Sequence, residues 1–203
     1  FRETEKVKKN FGYKFGLQFL NSKNGRKFIL KNKNKITFGD YKLADIPNTC
    51  ASTIEAVKDL KSNYITIHIS AGLEALKAAK KVSGSTKLIG VTILTSLSNK
   101  TLKEIGFQKD LKKLVLHQAK LAAKVNLDAI VCSPHEIKTV KKVFNKEIIT
   151  PGVRFASDNA NDQKRVMSPK NAFLNGATSI VMGRSITNGN LKKNIQKLIK
   201  ELS

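Results

Sequence analysis

The sequence predicts an α/β protein, specifically a (β/α)8 TIM barrel, on two observations. Apolar runs rich in β-branched residues alternate with amphipathic helical segments, which is typical of parallel strands joined by crossover helices. Polar residues collect where several apolar runs end, as at Asp40, Lys42 and His68. Because a (β/α)8 barrel builds its active site at the C-terminal ends of its strands, this placement favours the barrel over an arbitrary open sheet.

Seven strands and eight helices are predicted from periodicity and from turn residues. The predicted strands are Tyr13–Leu20, Lys35–Lys42, Tyr64–Ser70, Lys87–Thr95, Ala129–Ser133, Glu147–Val153 and Ser179–Arg184. The predicted helices are Arg2–Asn10, Ser22–Asn32, Pro47–Lys61, Ala71–Val82, Gln108–Asn126, Pro134–Phe144, Ser168–Asn175 and Leu191–Leu202. The polar stretch Phe155–Asp162 is the candidate for a lid.

A barrel that begins with a helix and contains seven strands is one strand short, and residue 1 is Phe instead of Met. We therefore expect the first strand to precede this chain. No linker, repeat or low-complexity block interrupts the 203 residues, so a single barrel domain over residues 1–203 is expected.

The net charge of +23 is the usual sign of a nucleic-acid-binding protein. The lysines, however, are spread along the predicted helices instead of clustering in one arm, and aromatic residues make up only 6% of the chain. We expect solvated faces and no specific nucleic-acid partner. A basic nucleic-acid-binding module remains the alternative from another functional class, and it predicts tight, salt-sensitive binding.

Cysteine and histidine usage argues against disulfides and metals. Cys50 and Cys132 lie far apart without a C-x-x-C spacing, which favours reduced thiols in a cytoplasmic protein. No second histidine or carboxylate lies at ligand spacing from His68, His117 or His135, so no metal site is expected. His68 ends a strand and is expected to line the pocket. No apolar run approaches the roughly 20 residues of a membrane span.

The segment Asp40–Thr49, DYKLADIPNT, carries the strongest chemical signal. Residues two apart on a strand share a face about 6–7 Å apart, so Asp40 and Lys42 are predicted to point the same way. Taking opposite charges out of water costs several kcal/mol for each. Such a pair is a poor way to build a core and suggests a site, although an incidental ion pair at a solvated strand end is the alternative.

Six segments, in order and mostly at strand ends, resemble bacterial orotidine 5'-phosphate decarboxylases over essentially the whole chain. Tyr13-Lys14-Phe15-Gly16 resembles the segment with the family's first catalytic lysine, and Asp40-x-Lys42-x-x-Asp45-Ile46-Pro47-Asn48-Thr49 resembles its signature. Val91–Ser96 resembles a substrate-contacting strand end, and Pro151–Arg154, Asp162–Arg165 and Met182–Thr187 resemble segments around the phosphate site. Each match alone is weak, and their order makes the resemblance strong.

The resemblance implies a lyase without cofactor that converts orotidine 5'-monophosphate to uridine 5'-monophosphate and CO2 in pyrimidine biosynthesis. It makes Lys42 the proton donor within a network of Lys14, Asp40, Lys42 and Asp45. It also implies a homodimer in which Asp45 reaches into the partner's site. The residues implied to bind substrate are Ile46, Thr49, Thr95, Arg154, Gln163, Gly183 and Arg184. The family's ribose-binding aspartate, on the first strand, has no counterpart in this chain.

Metal-dependent sugar-phosphate decarboxylases and aldolases of the same suprafamily share the Asp-x-Lys-x-x-Asp strand end. The continuation Ile46–Thr49, the segment Pro151–Arg154 and Gln163 favour the pyrimidine enzyme over them. An inactive remnant of the fold is a further alternative, which the intact lysines and aspartates make unfavourable.

Overall fold

The structure, a computed structural model, describes residues 11–158 and 166–203. Within them lie seven strands: β1 Gly12–Phe15, β2 Ile36–Leu43, β3 Tyr64–His68, β4 Lys87–Val91, β5 Ala129–Val131, β6 Glu147–Thr150 and β7 Ser179–Ile180. The strands are hydrogen-bonded in the order in which they occur in the chain. The pairs β1–β2, β2–β3, β3–β4 and β6–β7 are parallel. The prediction of an α/β fold with parallel strands is therefore confirmed, and each predicted strand overlaps an observed one.

The described helices connect these strands. They are Leu17–Leu20, Gly25–Lys31, Pro47–Ala56, Leu73–Val82, Asn99–Glu104, Leu111–Lys124, Ile137–Val140, Pro169–Leu174, Arg184–Thr187 and Leu191–Leu202, with short 3-10 turns at Lys58–Leu60, Ile69–Ala71 and Pro134–Glu136. Local chemistry explains several starts. The Asn190 side chain caps the last helix by accepting from the Lys193 N–H at 3.0 Å, and Ser133 and Glu136 form a capping box.

The sequence prediction was wrong over the second half of its first strand. Residues Leu17–Leu20 form one helical turn after Gly16. The prediction failed because so short a segment does not distinguish a strand from a turn of helix. The rings of Phe15 and Phe19 stack with centroids 4.8 Å apart, so packing favours the turn. The helices Asn99–Glu104 and Arg184–Thr187 were also missed, since neither is long enough to show a helical period. The predicted helix Arg2–Asn10 lies outside the described residues.

The chain divides into two compact units, which are described separately. The β1–β4 unit comprises residues 11–92 and 117–130. Its core contains fully buried Ile54, Ile67, Leu76 and Leu88. The Asp128 carboxylate ties this unit together by accepting from the Lys80 ammonium and from the Leu88 N–H. Burial of these aliphatic side chains stabilises the unit by about 1.5–3 kcal/mol for each.

The β6–β7 unit comprises residues 93–116 and 131–203, of which 159–165 are outside the described part. Its core contains Ile148, Val153, Ala172 and Ile195. The last helix, Leu191–Leu202, buries Ile195 and Leu198, which lie three residues apart and so share one face of the helix. The single domain over 1–203 stays a prediction.

Candidate active site

A buried carboxylate between two ammonium groups forms the centre of the candidate site. Asp40 on β2 is only 6% exposed. Its Oδ2 accepts from Lys14 Nζ at 2.6 Å and from Lys42 Nζ at 2.8 Å. The two lysine side chains remain about one third exposed, at 32% and 33%. The structure therefore brings together three of the four predicted network residues, with their ammonium groups still accessible.

The end of β2 is irregular where it presents these groups. The pairing of β2 with β3 shifts register between Gly39 and Leu43, and Lys42 has φ of 51°, in the left-handed region. This backbone conformation costs a residue other than glycine about 1–2 kcal/mol. Lys42 and Asp40 do face the same way, as predicted, but the register shift and a strained residue produce the contact instead of regular strand alternation.

Gly39, where the register shift begins, lies close to the Tyr41 ring. A Cβ at this position would lie 2.6 Å from the Tyr41 ring, which is closer than van der Waals contact allows. Tyr41 is partly buried, and burial raises the pKa of its phenol. The strand just before Asp40 is thus fitted to a residue without a side chain.

Thr66 on β3 completes the cluster, and the sequence analysis missed it. Its side chain is fully buried. Thr66 Oγ1 accepts from the Lys42 N–H at 2.8 Å and lies 3.2 Å from Asp40 Oδ1, to which it donates. A signal was available: in the strand Tyr64-Ile65-Thr66-Ile67-His68 the polar residues alternate with isoleucines, so Thr66 shares a face with His68.

The charges set the protonation of the cluster. Burial would raise the pKa of Asp40, but hydrogen bonds and charge from Lys14 and Lys42 outweigh it, so the pKa lies below its ordinary value of 3.8. Burial, and then the positive charge of Lys42, lower the pKa of His68 below 6.5. At neutral pH the cluster therefore holds an ionised Asp40 and a neutral His68.

Asp45, the fourth predicted network residue, does not contact Lys42 of its own chain. It is exposed, and its Oδ1 accepts from the Ile46 N–H at 2.7 Å. Ile46 is 66% exposed and precedes the helix Pro47–Ala56, which has proline in its first turn. Thr49 lies half-buried in that helix, where its carbonyl accepts from the Thr53 hydroxyl at 2.7 Å.

The remaining predicted binding residues belong to the β6–β7 unit. Arg154 is buried, and its segment turns at Gly152, which has φ of 77°. Backbone pairing with Met167 fixes the segment, because the Arg154 N–H donates to the Met167 carbonyl at 3.0 Å. Gly183 precedes the short helix that begins at exposed Arg184. Thr95 is half-buried in a turn. Gln163 lies outside the described residues, as does most of the predicted lid.

The described residues offer neither a metal-binding cluster nor a membrane-spanning helix. No group of three or more His, Cys, Asp or Glu side chains is placed to hold a metal ion. His117 and His135 are exposed. Among the same residues, no helix has the length and apolar character to cross a membrane.

A sequence model of the orotidine 5'-phosphate decarboxylase / HUMPS family matches residues 5–197. The chain belongs to this family. Among curated relatives, the orotidine 5'-phosphate decarboxylase of Wolbachia sp. subsp. Brugia malayi is 45% identical over 197 residues, covering 94% of this chain and 87% of the relative. The orotidine 5'-phosphate decarboxylase of Ehrlichia chaffeensis is 47% identical over 155 residues, covering 74% of this chain and 67% of the relative.

Solved structures of orotidine 5'-phosphate decarboxylases are also similar. The crystal structure of the Lactobacillus acidophilus protein has a TM-score of 0.80 at 31% identity, covering 94% of this chain and 86% of that one. The Methanocaldococcus jannaschii protein, complexed with the inhibitor BMP, has a TM-score of 0.78 at 23% identity, covering 100% and 91%. The second likeness concerns the fold alone.

Within the orotidine 5'-phosphate decarboxylase / HUMPS family, the chemistry available to this chain is that of a positioned ammonium beside a buried anion. The Lys42 ammonium can donate a proton to a basic atom of a ligand. Asp40, held ionised, repels a second negative charge placed next to it. Together they favour a reaction in which a neighbouring anion leaves and a proton replaces it.

Proposed function

We propose that this chain decarboxylates orotidine 5'-monophosphate to uridine 5'-monophosphate and CO2 in pyrimidine biosynthesis, with Lys42 as the proton donor. The observation that carries this proposal is the ionised Asp40 carboxylate held between Lys14 and Lys42. The chain's membership of the family and its curated decarboxylase relatives support the same activity.

The reaction replaces a carboxylate on ring carbon 6 with a proton. The bond between that carbon and the carboxylate breaks, CO2 leaves, and the electron pair stays on the ring carbon. No carbonyl is placed to delocalise this carbanion, so positioned positive charge must stabilise it. Lys42 supplies that charge, and its N–H proton then forms the new bond to carbon.

Asp40 and Lys14 support this step from the chain's own network. Asp40 lies beside the departing carboxylate, where the repulsion between the two anions falls as CO2 leaves. It also orients the Lys42 ammonium, to which it is bonded at 2.8 Å. Lys14, bonded to the same carboxylate oxygen, keeps Asp40 ionised. The charges of Lys14, Asp40 and Lys42 are therefore already in position before the reaction begins.

Substrate binding involves the residues that the family resemblance assigns. Arg154 and Arg184 hold the phosphate monoester, since a guanidinium matches two phosphate oxygens at once. Gly183 lets the backbone approach the phosphate. Thr95 contacts the base or ribose, and Gln163 links the phosphate to the base. Binding energy from the phosphate is thereby used at the reacting carbon.

The active form is a homodimer that shares Asp45, Ile46 and Thr49 across the interface. Two observations support this. The Asp45 carboxylate binds only the adjacent backbone among the described residues, and the next residue, Ile46, is a large apolar side chain left 66% exposed. A partner subunit would bury Ile46 and bring Asp45 to its Lys42.

Subunit mixing tests the shared site. Lys42→Ala and Asp45→Ala are each expected to be inactive alone, but a mixed dimer contains one site with both residues intact. Unfolding and refolding the two variants together should restore about a quarter of wild-type activity. A mixture of dimers without recovered activity would contradict sharing of Asp45.

The decisive test of the activity is the ultraviolet absorbance change of orotidine 5'-monophosphate with purified protein, in the presence of excess chelator. Turnover by the wild type and its loss in Lys42→Ala are expected. Lys100→Ala is the matched control, because the Lys100 side chain is 88% exposed. Activity that disappears with chelator would return the metal-dependent sugar-phosphate enzymes to consideration. Tight, salt-sensitive nucleic-acid binding without turnover would favour the basic binding module.

We also place the seven strands in a (β/α)8 barrel and the enzyme in the cytoplasm. Sequential strand order with intervening helices supports the barrel. Cys50 and Cys132 are buried and form no disulfide, which suits a reducing compartment.

A further inference from the structure

Thr66 is the one neutral side chain that bonds to both parts of the charge cluster in the described residues. Its hydroxyl accepts from the Lys42 backbone N–H at 2.8 Å. The same hydroxyl donates to Asp40 Oδ1 at 3.2 Å. A threonine hydroxyl has one proton and two lone pairs, so both bonds form at once. The fully buried Thr66 therefore links the backbone of one charged residue to the side chain of the other.

The bond to Lys42 falls at the residue whose backbone is strained. Lys42 has φ of 51°, and the β2–β3 register shifts between Gly39 and Leu43. A residue held in the left-handed region relaxes unless its surroundings fix it. The Thr66 hydroxyl provides such a constraint from the neighbouring strand, because it anchors the N–H of that very residue.

The bond to Asp40 fixes the rotation of the carboxylate. Both ammonium groups bind Oδ2, at 2.6 and 2.8 Å, while the Thr66 hydroxyl binds Oδ1 at 3.2 Å. With different partners on its two oxygens, the carboxylate has one favoured orientation. The oxygen that carries the lysines is then held in place by a bond on the other oxygen.

We infer that Thr66 is a positioning residue for decarboxylation, which holds the Lys42 backbone and the Asp40 carboxylate in the arrangement that aims the Lys42 ammonium. This inference rests on the proposed function. Thr66 does not exchange a proton with the substrate. It acts through Lys42 and Asp40, so its loss lowers the rate of the chemical step more than it weakens substrate binding.

Three substitutions test this role. Thr66→Val keeps the shape and removes the hydroxyl, and Thr66→Ser keeps the hydroxyl and removes the methyl group. Thr37→Val is the matched control, because Thr37 is a fully buried threonine on β2 whose hydroxyl has no partner among the described residues. Comparison with it separates loss of these hydrogen bonds from loss of a buried hydroxyl in general.

Steady-state kinetics with orotidine 5'-monophosphate provide the readout. Thr66→Val should lower kcat by about 10- to 100-fold while KM changes by less than about threefold. Thr66→Ser and Thr37→Val should retain kcat within about threefold. Amide hydrogen exchange should show a protected Lys42 N–H in wild type and Thr66→Ser, and rapid exchange in Thr66→Val.

Other outcomes would overturn the inference. These are an unchanged kcat in Thr66→Val, a loss in Thr66→Ser as large as that in Thr66→Val, or a loss confined to KM. If Thr66→Val does not fold, Thr66→Cys replaces it, since a thiol is a weak hydrogen-bonding group. A kcat for Thr66→Cys about tenfold below that of Thr66→Ser supports the role, and equal values oppose it. Wild-type protein without turnover would instead sink the proposed function, and this inference with it.

Discussion

Replacing Lys42 by glycine and by alanine separates what this residue does for activity from what it costs in stability. Both variants remove the ammonium that we propose as proton donor. Only glycine accepts the left-handed backbone at this position, where φ is 51°. The structure therefore predicts equal losses of activity but unequal stabilities.

The stability difference follows from two opposing terms. The left-handed backbone conformation destabilises a folded protein with alanine at this position by about 1–2 kcal/mol, whereas glycine adopts it without this strain. The greater freedom of glycine in the unfolded chain offsets about 0.5–1 kcal/mol of this gain. Lys42→Gly should then be more stable than Lys42→Ala by about 0.5–1 kcal/mol, or about 1–4 °C in Tm for a domain of this size.

Both effects are measured on the same two proteins. Loss of general acid catalysis typically lowers rates by about 100- to 10,000-fold, so kcat should fall by at least the lower figure in both variants. Calorimetry or circular dichroism gives the Tm values. An alanine variant as stable as the glycine variant would refute the argument that the backbone of Lys42 is strained. A kcat near the wild-type value in either variant would refute the role of Lys42 as proton donor.

Three further predictions follow from the charges of the site. Because the pKa of Asp40 lies below 3.8 in the folded state, its stabilising effect is complete above the unfolded pKa and lost as pH falls through the folded value. Between about pH 5 and pH 2, the denaturant midpoint should fall less steeply with acidification in Asp40→Asn than in wild type. The same fall in both proteins would contradict the stabilisation of ionised Asp40 by the lysines. The positive charge of Lys42 helps to lower the pKa of His68, so NMR titration should find that pKa raised in Lys42→Ala. No rise would mean that the two groups do not interact. Arg184→Ala should raise KM for orotidine 5'-monophosphate at least about tenfold, because it removes a charge-assisted phosphate contact, and an unaltered KM would exclude that contact.

The strands and the charge cluster were predictable because their signals are local. The alternation of Ile with polar residues marks β3, and the charges of Asp40 and Lys42 at the end of an apolar run mark the site on β2. The contact of Lys14 with Asp40 follows once parallel pairing brings β1 beside β2. Strand order therefore explains the contact of Lys14 with Asp40, whereas regular alternation does not explain that of Lys42 with Asp40.

The register shift in β2 and the bond from Thr66 that holds it were not predictable in the same way. A register shift depends on how β2 pairs with β3, and no residue next to Lys42 in the sequence indicates that its φ is positive. Thr66 acquires its role only through that pairing. The first strand was predicted too long because Leu17–Leu20, apolar except at Gln18, is too short to show whether it forms a strand or a turn of helix.

Gly39 limits how this enzyme can vary. Any side chain there would meet the Tyr41 ring, at 2.6 Å from the added carbon. Substitution at 39 would therefore push on the strand between Asp40 and Lys42 without touching a charged group. In a library selected for activity, position 39 should stay glycine while exposed neighbours such as Ile36 drift. Gly39 takes no part in the reaction, yet its lack of a side chain restricts which substitutions the segment around Asp40 and Lys42 can accept.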